Sequence, residues 1–148
     1  MQVFLSKALP AMTTGLDLNH YALIAGYLDS SRNAQECAIM LDTRFSCKSA
    51  AARKALAPRL EALANAVQNS NDGVLTFMIF ESLDDEVSGR MFARFMSRMA
   101  MEKHLRRKEL VDLWHGAKEE VNKMESHAYL PNRKGWLHRG ATGGGAKL

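Results

Sequence analysis

Two cysteines, three prolines and no apolar run long enough to span a bilayer as a helix mark this 148-residue chain by what it lacks. Cys37 and Cys47 stand ten positions apart without C-x-x-C spacing, which argues against a disulfide framework and predicts reduced thiols in the cytoplasm. With no apolar window near 18 residues, no membrane partner is expected. Motifs that announce chemistry are missing too. There is no Gly-x-Ser-x-Gly elbow, no Gly-x-Gly-x-x-Gly or Walker sequence, and no pair of histidines spaced around a glutamate on one helical turn. His115 and Glu119 are four apart, and His104 precedes His115 by eleven, which completes neither a zinc site nor a di-iron pattern. The expectation is therefore no metal, no cofactor and no catalytic residue. An enzyme would have to bring His115 or Cys47 to an oriented partner inside a pocket.

What is present is enough for one core. A chain of this length with 47% hydrophobic residues supports one domain with a tail rather than two domains. The net charge of +4 is unevenly placed. Residues 1–80 carry 7 Lys/Arg against 6 Asp/Glu, residues 81–126 carry 9 against 10, and residues 127–148 carry 4 against none. The basic excess belongs to the tail. This predicts a helical domain over 1–126 and a basic aromatic segment with a Gly-rich end over 127–148.

Apolar spacing sets the expected elements. Tyr21, Ile24, Ala25 and Leu28 follow the i, i+3, i+4, i+7 rule of a short helix, and Ala34, Cys37, Ala38, Leu41 and Phe45 suggest a second. An alanine-rich stretch from Ser49 carries the seam Leu56, Leu60, Leu63, Ala64 and Val67, with Pro58 predicting a kink or a fresh start. Residues 74–80, Val-Leu-Thr-Phe-Met-Ile-Phe, are continuously apolar and open to two readings. A strand there needs a partner for its backbone, and only the short Val3–Leu5 offers one, so a buried helix is favoured over a strand.

From Asp85 to Ser126 the spacing predicts one long helix. Phe92, Phe95, Met96 and Met99 share a stripe that resumes with Leu110, Leu113, Trp114 and Val121. The charged band 102–109 interrupts it. About 41 residues at roughly 1.5 Å each would run about 60 Å, so the helix must bend, break or protrude at that band. The expected fold is all-α, a compact bundle of about five helices.

On such a scaffold the available surfaces point to recognition. Arg90, Arg94 and Arg98 recur at i, i+4, i+8, close to Lys108 on the helical wheel, while Lys103, Arg106 and Arg107 of the same basic cluster fall on the apolar face. Tyr129 and Trp136, interleaved with Arg133, Lys134 and Arg139, have the aromatic-plus-arginine character of interface anchors. The function expected from these features is a non-enzymatic regulator or inhibitor that blocks a partner protein or nucleoprotein complex, with direct DNA or RNA binding through the same cations as the alternative.

Overall fold

The computed structural model describes residues 18–28, 36–70 and 72–131. It overturns the expected helical bundle: the molecule is an α+β fold built on a five-stranded antiparallel sheet. The strands are β1 (Tyr21–Tyr27), β2 (Ile39–Cys47), β3 (Val74–Ser82), β4 (Ser88–Phe95) and β5 (Val121–Tyr129). Three helices join them: α1 (Ala50–Asn69), α2 (Arg98–Leu105) and α3 (Lys108–Gly116).

Along the sheet the order is β1-β3-β4-β2-β5. Strand β4 lies between β2 and β3, which α1 connects, and β2 lies between β4 and β5, which α2 and α3 connect. This interlocked β-α-β-β-α-β order is the ferredoxin-like arrangement, with β1 added beside β3. Its register assigns the faces. Leu41, Thr43 and Phe45 of β2 pair with Ala93, Met91 and Gly89 of β4, so these residues share the side that the helices cover. Asp42 and Arg44 pair with Phe92 and Arg90 on the opposite side, which none of the three helices covers.

Helix α1 begins at Ser49, whose hydroxyl accepts from the Ala52 N–H at 3.1 Å, and runs through Pro58 to Asn69 as one element. Its seam of Leu56, Leu60, Leu63, Ala64 and Val67 is buried against the sheet, and each large side chain contributes about 2 kcal/mol. The segment 74–80 is a strand because it has two partners, β1 and β4, that a helical reading of both neighbours conceals. The supposed long helix is four elements. Residues 88–95 form β4, with Gly89, Met91, Ala93 and Phe95 buried, Ser97 caps α2 through the Ala100 N–H at 3.0 Å, α2 gives way to α3 at Arg106–Arg107, and residues 121–129 are β5. Among the described residues no helix is long and apolar enough to cross a membrane.

Candidate functional site

Between the sheet and the α2–α3 pair lies a cavity of about 420 Å³. Its sheet wall is Leu41 and Thr43 of β2, Phe77 of β3, Met91 and Ala93 of β4, and Met124 and Ser126 of β5. Its helix wall is His104 and Leu105 of α2 with Leu110, Val111, Trp114 and His115 of α3. The deep part is apolar, since Phe77, Ala93, Met91 and Leu110 are all buried. Leu105, Val111, Met124, His115 and Ser126 are exposed and form the rim.

One imidazole stands in this apolar wall. His104 is only 2% exposed and is flanked by the rings of Phe77 and Phe95, each centred 5.3 Å away. Its Nδ1 has no hydrogen-bond partner among the described residues. Burial pushes its pKa down to about 4, the Arg107 cation pushes the same way, and Asp72 opposes weakly. At neutral pH the ring is therefore uncharged, with one nitrogen carrying a proton and the other a lone pair. Trp114 holds the next part of the wall, packed edge-on against Phe45 at 5.7 Å. On the sheet wall, Thr43 Oγ1 and Ser126 Oγ are hydrogen-bonded at 2.7 Å.

The α2–α3 junction that carries His104 is tied down from behind. Arg107 donates to Ser70 Oγ at 2.7 Å and to Asp72 Oδ2 at 2.5 Å, and Lys103 reaches the other oxygen of the same carboxylate. These cations, the Lys103 hydrogen bond first, hold the Asp72 carboxyl below its usual range. A second hollow of about 450 Å³ over this junction is charged and more open, and two of its cations are already spent on Asp72.

The residues expected to bind a partner fall in several places. Arg90 lies on the face away from the helices, bidentate to Asp42 at 2.6 and 3.0 Å and over the Tyr21 ring. Arg94 shares that face, is 3% exposed and donates to Thr76 Oγ1 at 3.2 Å. Arg98 opens α2, exposed and paired with Glu102 at 3.1 Å. Arg90 and Arg94 are thus neighbours on a sheet, and no helical stripe joins them to Arg98. Lys103 and Arg107 serve Asp72, Arg106 is exposed at the end of α2, and Lys108 pairs with Asp112. Tyr129 ends β5, half exposed beside His127. Arg133, Lys134, Trp136 and Arg139 lie outside the described residues. Cys47, expected in a loop, closes β2 and is buried, which raises its pKa, whereas Cys37 is only half buried. The described residues gather no three His, Cys, Asp or Glu side chains that could hold a metal ion.

No family model matches this sequence, and no curated protein matches it. Solved structures do. A provisionally described antibiotic biosynthesis monooxygenase from Deinococcus radiodurans superposes with a TM-score of 0.59 at 20% identity, covering 64% of this chain and 93% of its own. Rv0793 from Mycobacterium tuberculosis gives 0.58 at 21% identity over 65% and 96%. SnoaB from Streptomyces nogalater, described as a cofactor-independent oxygenase, gives 0.51 at 14% identity over 67% and 97%. The fold is common to all of them. The expected blocker needed a rigid helical bundle presenting exposed anchors. The sheet fold removes that scaffold, and chains with this fold carry monooxygenase and oxygenase descriptions, so the non-enzymatic regulator or inhibitor reading does not stand.

Proposed function

We propose that this chain is a small-molecule oxygenase that takes a planar, largely apolar substrate into the cavity between the sheet and α2–α3. The observation that carries this reading is an apolar cavity of about 420 Å³ with one buried, uncharged imidazole in its wall. That volume falls in the range of small-molecule sites, as does the balance of apolar lining with few polar groups. The descriptions of the similar structures support the reaction class, SnoaB's in particular.

Monooxygenation places one atom of O₂ in the product and releases the other as water. Without an added reductant, the substrate itself must supply the electrons. A methylene flanked by aromatic rings and opposite a carbonyl can do this: it loses two hydrogens and becomes a ketone, and the second oxygen leaves with those hydrogens as water. Removing the first proton places negative charge on the carbonyl oxygen. His104, neutral at pH 7, serves as hydrogen-bond donor to that oxygen, and the apolar surroundings strengthen the bond. His115 and Ser126 at the rim meet the solvent into which the proton departs. The free thiols Cys37 and Cys47 support a reducing, cytoplasmic setting.

The test is oxygen uptake with anthrone or 1-naphthol, read together with product absorbance. Protein-dependent uptake is expected, and His104→Ala should lower kcat by about 10²–10³-fold. Quenching of Trp114 emission, in a Trp136→Phe background, reports binding separately. Neither uptake nor quenching with either compound would remove the reading.

A further inference from the structure

Thr43 and Ser126 face each other across β2 and β5, on the helix side of the sheet, and both line the cavity. Their positions differ in one respect. Thr43 is 5% exposed, while Ser126 lies on the edge strand and is exposed. Their oxygens are 2.7 Å apart, and either can be the donor.

Each hydroxyl has one proton and two lone pairs, so a single bond between them leaves one proton over. If Thr43 donates, the spare proton is on Ser126, where water accepts it. If Ser126 donates, the spare proton is on Thr43, which is 5% exposed and lies beside Leu41, Met91 and Ala93 on its face of the sheet, side chains that carry no nitrogen or oxygen acceptor. An unsatisfied buried donor is costly, so the empty protein favours the first direction. A ligand oxygen near β2 reverses the preference, because Thr43 then has an acceptor and Ser126 loses only a bond to water.

We propose that the Thr43–Ser126 pair is a reversible hydrogen-bond donor that selects ligands carrying a carbonyl or phenolate oxygen and orients that oxygen against β2. The inference rests on the cavity being the substrate site. It assigns the sheet wall a polar contact separate from His104 on the helix wall. Thr43 touches the ligand directly, and Ser126 acts on the empty protein, accepting the Thr43 proton until a ligand oxygen takes it.

The experiment compares 9-fluorenone with fluorene, the same ring skeleton with and without the carbonyl, by Trp114 quenching in the Trp136→Phe background. Wild type should bind fluorenone more tightly than fluorene. Thr43→Val keeps the β-branched shape and removes the hydroxyl; it should cost fluorenone about tenfold in Kd and leave fluorene unchanged. Ser126→Ala strands the Thr43 proton in the empty state, so fluorenone should bind as tightly as before or more tightly. A role confined to strand pairing would shift both ligands equally in both variants, and that result, or no change for fluorenone in Thr43→Val, overturns the proposal. If wild type bound neither ligand, the cavity reading beneath it would fall as well. Unfolding midpoints of each variant show whether a loss reflects folding instead of the contact.

Discussion

At the scale of single residues, His104 links stability to pH in a way that can be measured. An unfolded histidine titrates near 6.5, and the buried ring near 4, so between these values the unfolded chain binds the extra proton. Stability is full above about pH 6.5 and falls as pH drops towards 4, by up to about 3 kcal/mol. His104→Phe, a ring of similar shape between Phe77 and Phe95, should flatten urea-derived stability over that window. An unchanged slope would assign it to other groups. Gly89 makes a different demand. A Cβ there would run into the Phe45 ring, which is packed on Trp114. Gly89→Ala should therefore cost about 1–3 kcal/mol in chemical denaturation.

At the scale of elements, two arginines hold parts that lack large cores of their own. Arg53 of α1 donates through one nitrogen to the carbonyls of Ser82, Asp85 and Ser88 at 2.9–3.2 Å and so closes the turn between β3 and β4. Arg53→Ala should destabilise by about 2 kcal/mol, with faster amide exchange concentrated at residues 82–88. Arg107 fastens the α2–α3 junction to the residues that follow α1. Its side chain is 9% exposed, so Arg107→Ala leaves Asp72 with Lys103 alone and should cost about 2–3 kcal/mol. Because His104 sits one turn before that junction, the same variant should weaken ligand binding without touching a cavity-lining side chain.

At the scale of the whole molecule, the cavity ties the sheet to the helix layer, so any ligand that fills it should stabilise the entire fold. At a hundred times its Kd, a bound ring compound should add about 2.7 kcal/mol to unfolding, a rise in Tm that thermal scans detect and Thr43→Val reduces for fluorenone. A ligand that quenched Trp114 with no such rise would not be binding the folded state in preference to the unfolded chain.

Some of this arrangement is readable in the chain itself. The seam of α1, from Leu56 to Val67, repeats every three to four residues, a period that only a helix satisfies, and it is the buried face. Strands were hidden by a coincidence of spacing. Arg90 and Arg94 are four apart, as are Leu41 and Phe45, and four is close to one helical turn while being an even number of strand steps. A strand is recognised only when its partner is, and the partners of β3 lie on segments that local periodicity assigns to helices. The same limit hid the site. His104 shares its helix face with the small, buried Ala100, yet amid the charges of 102–109 it reads as a solvated residue. Local physics determined α1 and its buried seam. Tertiary structure decided strand pairing, and with it which imidazole was desolvated and which hydroxyls met, because burial and backbone pairing depend on contacts between residues far apart in sequence.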